Sequence, residues 1–155
     1  MRPAAALLAG AALVAACRQA APPAAAPAPT PAAAPGPSLY TRLGGVDAIR
    51  AVVGDFLGRV AADARINAFF RGVDLDSLKT KLTDQICQAS GGPCRYAGKG
   101  MREAHADMQI TDADFDALIE DLAGALDHAG VGPNEERELL KTLGGLRREI
   151  VTGRR

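Results

Sequence analysis

Apolar residues recur at helical spacing through most of the chain after residue 38. Residues three or four positions apart lie on one face of an α-helix, so each such run predicts a helix with one buried side. No alternation of apolar and polar residues is long enough to predict a strand. The pattern therefore predicts an all-α fold with four long helices. Their apolar faces are Ile49, Val52, Val53, Phe56, Leu57 and Val60; Leu75, Leu78, Leu82 and Ile86; Phe115, Leu118, Ile119, Leu122 and Leu126; and Leu139, Leu140, Leu143, Leu146 and Ile150.

Glycine and proline separate these helices. Gly44-Gly45 is predicted to end a short opening helix, and Gly91-Gly92-Pro93 to end the second long one. Thr111 is a suitable N-cap for the third long helix, and Pro133 suits the start of the fourth. Four long helices in so short a domain must cross closely, which favours a bundle with an interior slot.

The first residues form a separate segment. Met1-Arg2-Pro3 precedes an apolar stretch from Ala4 to Ala16, which ends at Cys17. The stretch would span about 20 Å as a helix, against about 30 Å for the hydrocarbon core of a membrane. Residues 1–17 resemble a bacterial lipoprotein signal, which implies export and lipidation of Cys17. Uncleaved export and a plain Ala-rich tail are the alternatives.

Residues 18–37 are dominated by alanine and proline from Ala20 to Pro37. Proline fixes φ and removes backbone donors, so this segment is predicted to be an extended linker. Residues 38–155 then form one domain. The expected arrangement is a domain on the periplasmic or cell-surface side, anchored in a membrane through Cys17.

Composition narrows the function. Eighteen basic and eighteen acidic residues give a formal net charge of zero, so there is no electrostatic reason to expect nucleic acid as a partner. The chain has no tryptophan and few aromatic residues. Any pocket is therefore expected to be lined mainly by aliphatic side chains and methionine.

His105 is the leading candidate for chemistry. It is one of two histidines, and Met101 and Met108 lie within a turn of it on a helix. A neutral imidazole among soft apolar side chains suits a haem iron in a dry pocket. The alternative is a half-buried histidine on a surface helix. His128 is predicted to stabilise a helix C-terminus.

Two of the three cysteines, Cys87 and Cys94, flank a glycine turn. They form a disulfide candidate, the alternative being two small buried apolar side chains. Zinc held by both cysteines and His105 is a weaker reading, since the spacings match no standard site. The chain has no Cys-x-x-Cys-His sequence, so a haem would be bound without a thioether link.

Several short motifs, in this order and spacing, resemble the group I truncated haemoglobins, and the resemblance covers residues 38 to about 152. The motifs are Leu39-Tyr40-x-Arg42-Leu43-Gly44-Gly45, Phe56, Asp63-Ala64-Arg65, Phe69-Phe70, Gly91-Gly92-Pro93-x-x-Tyr96-x-Gly98, Met101-x-x-x-His105 and Ile110-Thr111-x-x-x-Phe115.

The resemblance implies a truncated globin, a two-over-two helical sandwich around haem b. It implies His105 as the proximal iron ligand and Phe70 as the aromatic side chain on the haem face. Further haem contacts are expected on the distal side, on the proximal wall and at the haem edges. They are Leu78, Leu82, Met101, Met108, Tyr96, Lys99 and Arg102.

The chain departs from the family on the distal side. Leu57 and Leu82 stand where members often have a tyrosine and a glutamine. With Phe56 and Leu78, these leucines predict an unusually apolar distal pocket. Lys81 is a candidate sixth ligand to the iron, or it points outward.

The resemblance leads to one main functional expectation and three alternatives. The main expectation is reversible binding of a small gaseous ligand, O₂, NO or CO, as in oxygen transport. NO dioxygenation would require an external reductant, because the chain has no flavin or nicotinamide motif. A haem held by both His105 and Lys81 would be a redox or electron-transfer protein. A haem-free helical interaction module is the last alternative.

Overall fold

A computed structural model of the chain describes residues 36–153. The predicted signal segment with Cys17, and all but the end of the predicted linker, lie outside the described residues. Within residues 36–153 all regular structure is helical, which confirms the all-α prediction. The elements are α1 (Leu39–Arg42), α2 (Gly45–Ala62), a 3₁₀ helix (Asn67–Phe70), α3 (Leu75–Ala89), α4 (Met101–His105), α5 (Asp112–His128), α6 (Pro133–Gly144) and α7 (Arg147–Ile150).

Helix α2 lies at the centre of the fold. Gly44 begins it from a left-handed conformation with φ of 91°, a region that favours glycine. The helix packs against both α3 and α5, and α5 packs against α6. Two helix pairs therefore lie over each other, and α2 buries the whole of its predicted apolar face.

Helix α3 behaves differently along its length. Asp74 caps its start by accepting hydrogen bonds from the backbone of residues 76 and 77. Only its second half enters the core, through Thr83, Ile86 and Cys87. Leu75, the first member of the predicted apolar face, is 41% exposed. The side chains of the first half of α3 are therefore less deeply buried than those of its second half.

The later helices begin where the sequence predicts them to. Thr111 and Asp114 form a reciprocal capping box at α5, and Pro133 occupies the first turn of α6. The fourth apolar face is divided between α6 and α7. Gly144-Gly145 lies at the break, and glycine is a poor helix former.

The chain reverses tightly after α3. Gly91 has a φ of 84°, and the amide of Tyr40 donates to the carbonyl of Ser90 at 2.8 Å. A Cβ added at Gly92 would lie 2.5 Å from a ring carbon of Tyr40 and 2.7 Å from Sγ of Cys87. Only glycine fits at this position without displacing α1 or the sulfur.

None of the helices within residues 36–153 combines the length and apolarity that crossing a membrane requires.

Candidate functional site

A cavity of about 370 Å³ lies beneath the middle of α3, from Leu78 to Ile86. Its wall is formed by α3, α4, α5, the 3₁₀ helix and residues of α2, α6 and α7, and most of the wall is apolar. This cavity explains why Leu78 and Leu82 are only half-buried. The polar side chains in the wall are those of Lys81, Gln85, Tyr96, Lys99, His105 and Asp114.

His105 lies in this wall at the end of the short helix α4. Its Nδ1 is 2.7 Å from the backbone carbonyl oxygen of Met101, one turn earlier. A carbonyl oxygen only accepts hydrogen bonds, so Nδ1 donates and carries the proton. Nε2 is then left with its lone pair. This is the tautomer that binds a metal through Nε2, with the other nitrogen held by a backbone carbonyl.

The cavity gathers most of the residues expected from the sequence. The members it brings together from distant parts of the chain are Phe56, Phe70, Leu78, Lys81, Leu82, Tyr96, Met101, His105 and Met108. Lys99, expected near a haem edge, also lies in the wall.

Two expected residues do not line this cavity. Leu57 follows Phe56 by one residue, so it is turned about 100° around α2. It lines a second cavity of about 240 Å³ instead, and Phe70 belongs to the walls of both cavities. Arg102 follows Met101 by one residue, is absent from the cavity wall and is exposed. Leu57 and Arg102 therefore lie outside the wall of the main cavity, and their roles beside a bound haem stay predictions.

The sequence interpretation missed most of one wall. Helix α5 contributes Phe115, Leu118, Ile119 and Leu122, four of the five members of the third apolar face. Periodicity identifies such a face as buried but does not show whether it meets other side chains or a cavity. Phe69 was also assigned no site role, and it lines the cavity beside Phe70.

Helix α3 and the segment leading to His105 are joined beside the cavity. Cys87 and Cys94 form a disulfide with a Cα–Cα distance of 5.7 Å. Their thiols are therefore not free to hold zinc together with His105. The side-chain amide of Gln85 donates to the sulfur of Met101 at 3.2 Å.

An ion-pair network involves residues that are not in the cavity wall. Arg65 pairs with Asp63 and with Glu120, and its hydrogen bonds lower the pKa of the Asp63 carboxyl. Asp121, next to Glu120, is in the opposite situation. Its Oδ2 is buried and has no hydrogen-bond partner within residues 36–153. Burial, reinforced by the negative charge of Asp63, raises the pKa of Asp121.

The arrangement around His105 determines which ligand the cavity fits. Apolar walls accept a large, mainly hydrocarbon group, and Nε2 of His105 offers a lone pair for a metal at its centre. Lys81 and Lys99 offer positive charge for carboxylates at its edge, although Nζ of Lys99 also lies 3.3 Å from a carboxylate oxygen of Glu103. A metalloporphyrin matches all three, since it has a large apolar ring, a metal at its centre and carboxylates at its edge.

Comparison with known proteins agrees with this chemistry. Residues 38–152 match the family described as "Bacterial-like globin". The "Group 1 truncated hemoglobin" of Tetrahymena pyriformis is 37% identical over 114 residues, covering 74% of this chain and 94% of the relative. The "Group 1 truncated hemoglobin GlbN" of Mycolicibacterium paratuberculosis is 38% identical over 116 residues, covering 75% of this chain and 85% of the relative.

Solved structures show the same fold. The truncated hemoglobin from Tetrahymena pyriformis in its Fe(III) form has a TM-score of 0.73 and 36% identity, covering 76% of this chain and 100% of that one. The 2/2 hemoglobin from Synechococcus, in the cyanomet state and with covalently attached heme, has a TM-score of 0.71 and 35% identity, covering 74% and 98%. The expected two-over-two globin fold is therefore confirmed.

Proposed function

Since this chain belongs to the group I truncated globins, we propose that it binds haem through His105 and takes up a small gaseous ligand, O₂, NO or CO. When bound, haem supplies an iron with a coordination position that a diatomic gas occupies reversibly. The observation that carries the proposal is the hydrogen bond from Nδ1 of His105 to the carbonyl of Met101. In the neutral ring it leaves Nε2 of His105, a residue of the apolar cavity wall, as the nitrogen available to iron.

The residues of the chain divide the remaining tasks. Phe70, Leu78 and Leu82 keep water away from the ligand, since they offer it neither donors nor acceptors. Met101 and Met108 supply soft apolar surface next to His105. Tyr96, Lys81 and Lys99 are proposed to lie near the haem carboxylates. Of these, the two lysines provide the positive charge.

We expect the haem to be haem b, held without a covalent bond to the protein. Cys87 and Cys94 are bonded to each other, so neither has a thiol to add to a haem vinyl group. The Synechococcus protein described above has covalently attached heme, so the point requires a test. Extraction with acidified butanone should remove all colour from this protein. Colour retained in the protein phase would refute non-covalent binding.

The two histidines provide a matched experiment for the main proposal. His128 is 71% exposed at the end of α5, and its Nδ1 lies 3.3 Å from a carboxylate oxygen of Asp55. The full chain would be loaded with haem as wild type, His105→Ala and His128→Ala. His105→Ala should lose the Soret band or the spectrum of a histidine-ligated haem, and added imidazole should restore it. A normal spectrum in His105→Ala would overturn the assignment.

Lys81 supports a second candidate function. It lines the same cavity from α3, although much of its side chain is exposed. If its neutral amine completed the coordination of the iron, the protein would be a six-coordinate redox or electron-transfer protein. Lys81→Ala should then convert a low-spin ferric spectrum to high spin, while Lys79→Ala on the same helix should not. A spectrum unchanged by Lys81→Ala would favour gas binding.

We also propose that the domain is exported and anchored through a lipid on Cys17. The support is the composition of residues 1–37, since the family match begins only at residue 38. The wild-type chain should fractionate with membranes, whereas Cys17→Ser should be released. Cys94→Ser serves as the cysteine control and should stay with the membranes. Equal distribution of the wild type and Cys17→Ser would contradict lipid anchoring.

A further inference from the structure

The last turns of α3 hold the segment that carries His105 by three separate links. The disulfide joins Cys87 to Cys94. The amide of Tyr96 donates to the side-chain oxygen of Gln88 at 2.8 Å. The side-chain amide of Gln85 donates to the sulfur of Met101 at 3.2 Å. These links fasten residues 94–101 at their beginning, middle and end.

At its end the segment has one further support, because Met101 packs against Ile110, Phe115 and Ile150. Residues 93–100 form no regular helix, and α4 buries none of its five residues. Helix α4 packs against α7 on one side. The loop before it depends on the links to α3, of which only the disulfide is covalent.

The two ends of the disulfide differ in how firmly they are held. Cys87 lies in α3 and is fully buried in the core. Cys94 is half-buried in a loop whose next residue, Arg95, is exposed. If the bond opens, α3 keeps its core packing and the loop gains freedom. The greater freedom of the loop then extends to Met101, whose carbonyl oxygen accepts the hydrogen bond that orients the ring of His105.

We propose that the Cys87–Cys94 disulfide is a positioning element for His105, and that its reduction makes haem leave faster. The inference rests on the proposed haem function. In the step a dithiol transfers two electrons and two protons to the disulfide. The S–S bond breaks, Cys87 and Cys94 become thiols, and the dithiol becomes a disulfide. No bond to the haem is made or broken by the reductant.

The experiment measures haem loss from the full-length ferric protein to an excess of a haem-scavenging apoglobin. Wild type, Cys94→Ser and Cys17→Ser are compared with and without dithiothreitol. Dithiothreitol should accelerate haem loss on the order of tenfold in the wild type and in Cys17→Ser, which keeps the disulfide. Cys94→Ser should lose haem at the fast rate under both conditions.

Two results would overturn the proposal. One is a wild-type rate that dithiothreitol leaves unchanged. The other is a response to dithiothreitol that persists in Cys94→Ser, because the reductant would then act on the iron. If Cys94→Ser does not fold, oxidised wild type is compared with wild type whose disulfide has been reduced, whose thiols have been alkylated and from which dithiothreitol has been removed, so that no reductant is present to act on the iron.

A second measurement separates positioning from general stability. In the ferrous protein, reduction of the disulfide should shift or broaden the iron–histidine stretching band in the resonance Raman spectrum. Amide exchange should rise in residues 95–105 more than in α2. If amide exchange rises equally in residues 95–105 and in α2, and the iron–histidine band is unchanged, the disulfide has only a general structural role.

The two proposals fail in different ways. A protein that never takes up haem refutes the proposed function. The exchange measurement, made without haem, then still reports whether the disulfide holds the His105 segment. A protein that takes up haem but loses it at a rate independent of the disulfide refutes only the present inference.

Discussion

Replacement of Leu82 by glutamine tests how the apolar cavity treats its ligand. Leu82 is half-buried in the cavity wall, one turn along α3 from Leu78. Glutamine is one heavy atom longer than leucine and ends in an amide that donates hydrogen bonds. Bound O₂ draws negative charge from iron and gains from such a donor, whereas bound CO gains much less. Leu82→Gln is therefore expected to slow O₂ dissociation selectively.

The magnitude follows from the environment of Leu82. A hydrogen bond to a charged partner contributes about 1.5–3 kcal/mol, which corresponds to roughly 10- to 150-fold in a dissociation constant. Because position 82 is half-buried, the amide introduced by Leu82→Gln also exchanges its hydrogen bond with water. The lower part of this range of energies therefore applies. We expect O₂ dissociation to slow by about 10- to 30-fold, and the loss of apolar burial to lower the free energy of unfolding by ~1 kcal/mol.

Stopped-flow or flash-photolysis measurement of O₂ and CO dissociation from the ferrous protein provides the assay. Leu82→Met is the matched control, because methionine fills a similar volume without an N–H donor. It should leave both rates near those of the wild type. If Leu82→Gln changes O₂ and CO dissociation equally, or if Leu82→Met reproduces its effect, the explanation by hydrogen bonding is refuted.

Three further predictions concern the scaffold. Gly92→Ala should lower the free energy of unfolding by about 1–3 kcal/mol, because its Cβ would overlap neighbouring atoms. A Cβ added at Gly58, in the middle of α2, would have nothing within 4 Å, so Gly58→Ala should raise the free energy of unfolding by about 0.4–1 kcal/mol. Urea unfolding of the two glycine variants provides the comparison, and equal effects would contradict the packing argument. Thr111→Ala should cost about 1 kcal/mol by removing the N-cap of α5, and retention of full stability in the same assay would show that the capping box contributes nothing. The raised pKa of Asp121 means that the folded chain holds this proton to a higher pH than the unfolded chain does. Stability should therefore fall as the pH rises through the window above the ordinary value of 3.8, and Asp121→Asn should remove that fall in unfolding measured between about pH 4 and pH 7.

The sequence anticipated the cavity better on one side than on the other. His105, Met101 and Met108 are close in the chain. Helical spacing places Met101 beside His105, and Met108 reaches the cavity wall from the turn after α4. Leu118 and Ile119 lie in an equally regular apolar face, and the pattern predicts only that this face is buried. A face that meets a cavity and a face that meets other side chains have the same periodicity, because both exclude water.

Neighbouring positions on α2 show the same limit. Phe56 and Leu57 are both buried, and the pattern gives no basis for assigning them to different cavities. The structure places Phe56 at the main cavity and Leu57 at the second, since one residue turns the side chain by about 100°. Which of the two side chains faces which cavity depends on how α3 and the 3₁₀ helix cross α2.

The sequence alone sets the local features of this protein. The helical class and the starts of α5 and α6 follow from the intrinsic preferences of residues that are near each other in the chain. The order of residues also places one imidazole between two methionines. The tertiary structure decided which apolar faces leave a space between them and which residues line it. It also brought Gln85 to Met101. Such contacts depend on the angles at which helices cross, and those angles are set by packing among residues far apart in the chain.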